Sequence, residues 1–273
     1  MADENLIKTT AEAVRGIAEA VPVYQDALQP AAKELGRGLA TVVRAVNVAL
    51  APLSALVWGY ERIADYLTNR LAEILRDVPP ERIETPPASV AGPVLEATRF
   101  TAEQAELREM FARLLAAAMD SDTCRSAHPA FVEIIKQLSP DEARILQEVD
   151  DVGFPEAVIT LRLVVTGMNQ PPETVAILPF LRHYSALTQR AHLRNPDLAT
   201  AYLNNLCRLG ILDMDYTAHL ARNAYESIEA MPQVASHLAS NLGQHVRYEA
   251  LHGQLTSTIF GQMFLATCIK EHG

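Results

Sequence analysis

The sequence predicts a mainly α protein, with a helical N-terminal region followed by a winged-helix-like α+β C-terminal domain. Three observations lead there. Apolar residues recur at helical spacing through most of the chain. Helix-start residues stand at regular points along it. The second half carries patterns in the order helix, strand, helix, helix, strand, strand, which is winged-helix order. The chain has 273 residues, 49 % of them hydrophobic, which allows a real core and makes disorder the wrong starting point.

Residues 5–20 and 23 to about 77 read as helix, punctuated by Pro22, Pro30 and Pro52. After Tyr60, Ile63, Leu67, Leu71, Ile74 and Leu75 fall on one helical face, and Glu61, Arg62, Asp65, Arg70, Glu73 and Arg76 fill the other. Five prolines between positions 79 and 93 predict an extended linker or strap. This divides the chain into a helical effector-like region (1–78), a Pro-rich linker or strap (79–100) and a helical plus winged-helix-like domain (101–273).

Sixteen residues from Ala45 to Tyr60 carry no charge, among them Val46, Leu50, Leu53, Leu56, Val57 and Trp58. A membrane-spanning helix wants roughly 20 apolar residues. Reaching back to Gly38 gives that length but includes Arg44. Two readings stay open. The segment is a Pro-kinked apolar hairpin buried in a helical core, or a masked segment that enters a bilayer after a trigger, with Trp58 and Tyr60 suited to the interface.

In the second half, Thr101 and Gln104 form a candidate capping box for a helix running to about Met119. Helices are expected at about 129–138, capped by Ser126, and at 140–150, capped by Ser139 with Pro140 first and Glu142 three residues on. Alternation from Ala157 to Val165 predicts a strand that places Arg162 on its second face. Asn195 is expected to cap a helix carrying Leu198, Tyr202, Leu206 and Leu209, and Gly210 to close it. Strands are expected at 211–216 and at 253–257. A mostly helical insertion at about 217–250 separates them, and Thr258 caps a final helix.

Charge and chemistry narrow the function. A net charge of −10 makes the whole chain a poor binder of nucleic acid or anionic membrane. Three scattered cysteines read as reduced thiols, and the N-terminus lacks a signal-peptide pattern, so a cytoplasmic location is expected. There is no Gly-rich phosphate loop, nucleophile elbow or His/Cys cluster, so the sequence calls for no cofactor, metal or catalytic residue. Arg247 and His252 fit the spacing of an RNase Arg-x4–6-His motif. However, 19 Arg and 8 His yield on the order of one or two such matches by chance. One basic patch remains. Between Thr174 and Pro196 there is no Asp or Glu, while Arg182, His183, Arg190, His192 and Arg194 are present. It is either a phosphate- or partner-binding surface or a face paired with acidic residues.

The stretches Tyr24–Gly36, Leu107–Leu115, Ala127–Leu146 and Leu203–Leu212, with Leu255, Thr256, Phe260, Gly261 and Phe264, resemble the Abi-alpha (abortive infection alpha) family, and the likeness spans most of the chain. The resemblance implies a bacterial phage-defence protein that stops an infected cell before the phage matures. It supplies no catalytic residues. The expected role is a non-enzymatic effector or sensor working through a releasable apolar hairpin, with the membrane as its candidate target. A nucleic-acid-binding or RNase-type toxin and an oligomerising adaptor are the alternatives. Expected partners are a second copy of the chain, a phage protein or neighbouring defence protein as trigger, and a membrane after activation. Nucleic acid is the weaker expectation.

Overall fold

Residues 39–52 form helix α1, and Glu61–Ile74 form α2. These belong to a computed structural model that describes residues 39–52, 61–101, 103–149, 155–165, 174–177, 182–243 and 246–270. The expected helix over 5–20, and Leu53, Leu56, Val57 and Trp58, lie outside the described residues. In α1 the buried positions are Val42, Val46, Ala49 and Leu50, a stripe at helical spacing. They join the same core as Leu67, Leu71 and Leu75, the apolar stripe foreseen after Tyr60.

The Pro-rich stretch is extended only in part. Pro80–Arg82 is one 3₁₀ turn, and Ala88–Thr98 forms a helix (α3) with Pro93 inside it. Proline costs a helix one backbone hydrogen bond. Here Val90, Ala91, Val94 and Leu95 are buried around it, and that burial outweighs the loss. The extended part is pinned to the end of the next helix. Arg82 forks onto Asp120 at 2.6–2.9 Å, and the Glu84 amide donates to the Met119 carbonyl at 2.8 Å.

That next helix, α4 (Ala105–Met119), is the central one, buried from Met110 to Met119 on every side. It begins three residues later than a Thr101 cap requires. The Thr101 hydroxyl instead donates back to the Ala97 and Thr98 carbonyls. Helix α5 (Ala130–Lys136) is likewise not capped by Ser126, which donates to the Thr123 carbonyl. His128 Nδ1 accepts the Ala130 amide at 3.1 Å. Helix α6 (Pro140–Gln147) keeps its expected capping box, with Ser139 and Glu142 bonded reciprocally.

Among the described residues, five antiparallel strands follow. Strand β1 (Glu156–Val165) pairs along its length with β5 (Val246–Ser257), and β5 pairs with β4 (Leu212–Asp215). The other edge of β1 carries β2 (Thr174–Ile177) and the two-residue β3 (Tyr184–Ser185), neither foreseen. Helices α7 (Ala186–Arg190) and α8 (Ala199–Arg208) lie between β1 and β4, and the long strands run in the order β1-β5-β4. Asn195 does not cap α8. One 3₁₀ turn (Pro196–Leu198) intervenes, and the Asn195 side chain turns to Asp141.

Strand β5 begins seven residues before the expected 253–257 segment, so the insertion between β4 and β5 is shorter than expected. It holds α9 (Asn223–Glu229) and α10 (Pro232–Leu238). Their Tyr225, Ile228 and Val234 cover Ala157, Ile159 and Leu161 on one sheet face. Val158, on the opposite face, joins the main core. Helix α11 (Ile259–Cys268) starts at Thr258, whose hydroxyl accepts the Gly261 amide as expected. It packs on α4.

Candidate functional site

The acid-free segment is anchored by an acid from another helix. Asp141, buried in the first turn of α6, accepts the backbone N–H groups of Arg194 and Asn195, both at 2.9 Å, and the Tyr202 hydroxyl at 3.2 Å. Burial raises its pKa, but these donors outweigh burial and hold the carboxyl below the usual range. In sequence Asp141 is simply an acid in a helix first turn, where the dipole favours it. Its cross-chain role has no signal in local spacing.

The five basic-patch residues separate into different surroundings. Arg190 donates to Glu156 at 2.5 Å and lies 3.9 Å from Glu148. Arg194 donates at 3.1 Å to Glu106, which also accepts two bonds from Arg144. Arg144 holds the His192 carbonyl at 3.1 Å, and His192 itself has a left-handed φ of 46°. Arg182 is exposed, and its carbonyl accepts from Thr200. Two of the three arginines therefore already face carboxylates, which reduces the field they offer a phosphate.

His183 is the most constrained of the five. Its φ is 55°, a left-handed value uncommon outside glycine, though histidine is among the residues that adopt it. Its amide donates to Thr160 Oγ1 at 3.1 Å, and its Nδ1 lies 2.9 Å from the Tyr216 hydroxyl, itself 2.7 Å from Thr160 Oγ1. The chain can run either way: Tyr216 donates to His183 and accepts from Thr160, or accepts from His183 and donates to Thr160, according to the His183 tautomer. Burial, and Arg182 beside it, keep the His183 pKa below its ordinary value, and burial pushes the Tyr216 hydroxyl up. Gly253 makes room for this network, because a Cβ there would sit 2.6 Å from the Tyr216 ring.

The Arg247–His252 spacing resolves differently from an RNase motif. Both residues lie on β5, five apart, so they point to opposite faces of the sheet. Arg247 pairs with Glu249. His252 stacks on Tyr225 with ring centroids 4.1 Å apart and meets Glu229 at 2.6 Å, which in turn pairs with Arg222. Neither the His252–Glu229 pair nor the His183–Tyr216–Thr160 chain is visible in sequence, since each joins elements far apart in the chain.

The other candidate is α1. Val46 and Leu50 are 0 % and 1 % exposed, whereas Val48, between them in sequence, is 68 % exposed. Asn47 Oδ1 accepts from Thr68 Oγ1 on α2 at 3.1 Å. Beneath it the body is tied by charge. Arg70 on α2 forks onto Glu109 of α4 at 2.6 and 2.7 Å, Glu109 also accepts from Arg113, and Arg113 reaches the Lys270 carbonyl beyond α11. Among the described residues no helix is long and apolar enough to cross a membrane, and no His/Cys/Asp/Glu group is arranged to hold a metal.

The fold and these sites define a mainly α protein with an α+β C-terminal region and an apolar helix seated on its helical part. The chain belongs to the abortive infection alpha family, whose model matches residues 59–268. That places it among proteins associated with abortive infection, a form of phage defence. No curated protein matches the chain. A solved structure described as an uncharacterized protein from the hydrocarbon-degrading marine bacterium Alcanivorax borkumensis SK2 shares 16 % identity. The match covers 49 % of this chain and 88 % of that one at a TM-score of 0.27, too slight a likeness to bear on function.

Proposed function

We propose that this protein is a non-enzymatic abortive-infection effector whose α1 segment leaves its seat when a phage product or a neighbouring defence protein engages the winged-helix-like half. In this reading the resting protein is cytoplasmic, as a single chain or a homo-oligomer, and the released apolar segment acts at the membrane. The observation that carries it is how α1 is held. The apolar stripe Val42, Val46, Ala49 and Leu50 seats it on the core, while α2, α4 and the end of α11 are joined by charge-assisted hydrogen bonds. Release of α1 exposes that stripe, at about 1.5–3 kcal/mol for each large side chain, and leaves the ties among α2, α4 and α11 in place. A trigger that binds the released form better shifts the population toward it. The paired state of Arg190 and Arg194 favours this reading over a nucleic-acid binder.

A cavity in the seat tests the proposal. Leu50→Ala removes about 2–5 kcal/mol of packing where α1 sits, and it is expected to arrest and depolarise cells without phage. Leu203→Ala, an equally buried leucine on α8, serves as control and should do neither. Normal growth and polarisation with folded Leu50→Ala protein present would overturn the proposal.

A further inference from the structure

Helix α11 is apolar almost all round, yet one side of it faces outward. A helix of that kind ordinarily lies wholly within a core. Here Gly261, Phe264, Leu265, Thr267 and Cys268 are buried, while Ile259 is 81 % exposed, Met263 is 39 % exposed and Ala266 is exposed as well. At about 100° per residue these three fall within about 60° of one another, an i, i+4, i+7 stripe. The anchoring of the helix fixes their exposure. The Thr258 hydroxyl donates to the Gly210 carbonyl and accepts the Gly261 amide, and the Phe131 ring packs on Phe260 and Phe264 with centroids 5.2 Å apart in each pair. Ile259 cannot turn inward without undoing that helix start. His128 and Pro129, both exposed, extend the patch, with the His128 ring edge-on to Phe260 at 5.7 Å.

We infer that this face docks a second copy of the chain, antiparallel about a two-fold axis, as a weak dimer. Charge is the first reason. Residues 253–269 contain no Asp, Glu, Lys or Arg, whereas the whole chain carries −10, so two copies repel and approach most readily where neither presents a charge. Shape is the second reason. A two-fold contact sets one patch against itself. With the axis between Gln262 and Met263, Ile259 of each copy lies over Ala266 of the other, a large residue against a small one. The two Met263 side chains meet near the axis, where their flexibility fills the remaining space. The extent of the patch sets its strength. Ile259, Met263, Ala266, Phe260, His128 and Pro129 fall well short of the roughly 20–30 residues a side of a standard interface, so the dimer depends on concentration. Pairing through α11 needs no release of α1.

Sedimentation velocity on the full chain across the micromolar range tests the pairing. The wild-type mass is expected to rise with concentration toward that of two chains. Ile259→Asp should weaken the dimer about tenfold or more, because each interface then holds two carboxylates. Its melting curve should stay unchanged, since that side chain is already in solvent and an acid suits a helix first turn. Val48→Asp, at an exposed apolar position on α1, should leave the dimer as it is. Met263→Cys, next to the axis, should join two chains by a disulfide under mild oxidation, several-fold faster than Val48→Cys and than the wild type with its native Cys124, Cys207 and Cys268. A wild type that stays monomeric at every concentration would give the face to a different partner and overturn the pairing. A dimer that survives Ile259→Asp or dissociates with Val48→Asp would overturn it too, as would equal cross-linking of Met263→Cys and Val48→Cys.

Discussion

His183 shows how one residue couples backbone strain to protonation. Its left-handed φ is accompanied by the Thr160 and Tyr216 bonds, and burial together with Arg182 disfavours the protonated ring. Because its folded pKa is lowered, the native state binds fewer protons than the unfolded chain once the pH falls below about 6.5. Its contribution is complete above that value and is lost as the pH falls through it. Melting temperature should therefore drop between pH 7.5 and 5.5. His183→Asn tolerates the same φ without titrating, and its drop should be shallower. Equal slopes for the two proteins would rule out this origin. The positive φ has no sequence signal, since the residues that impose it lie on β1 and beyond β4.

At the scale of elements, the junction between α8 and α11 is the tightest. Gly210, at φ 73°, closes α8, with the Ile211 amide bonded to the Leu206 carbonyl and the Gly210 amide to that of Cys207. Thr258 then bonds the Gly210 carbonyl while capping α11, and a Cβ on Gly261 would lie 1.9 Å from the Ile211 carbonyl oxygen. Gly261→Ala is thus expected to cost about 3 kcal/mol or more by overpacking against backbone. The urea midpoint should fall at an unchanged slope; a midpoint within error of wild type would contradict the close approach. Local signals carried much here. Ser139, Gly210 and Thr258 act as their neighbours in sequence imply, because each satisfies groups within four residues. Thr101, Ser126 and Asn195 have equally suitable side chains but found other acceptors: nearby carbonyls for the first two, and Asp141, over fifty residues away, for Asn195.

Across the molecule, one core runs from Val42 to Cys268, and its rim is tied by buried or half-buried carboxylates. Glu106, Glu109 and Asp141 each have burial raising the pKa and hydrogen bonds or cations lowering it further, with a net depression. Depressed carboxylates stabilise the fold above their unfolded values, and that stability is lost as pH falls through the folded ones. Helical circular dichroism should fall steeply below about pH 4.5, and Asp141→Asn should make the acid limb shallower; an unchanged acid limb would show that Asp141 is not a linked group.

The sequence by itself determined that the protein is mainly α, where its amphipathic helices run, the long β1, the helix–helix–strand order of the second half and the family. Apart from the family, which rests on the resemblance of whole stretches, these rest on periodicity and short-range capping, which a single strand of text contains. Only the tertiary structure decided that residues 88–98 turn helical around Pro93, that Arg190 and Arg194 face Glu156 and Glu106, that Arg247 and His252 part across a strand, and that Val48 stays exposed. Those outcomes depend on which surfaces meet across long stretches of chain, and burial and charge pairing between distant residues leave no period to read.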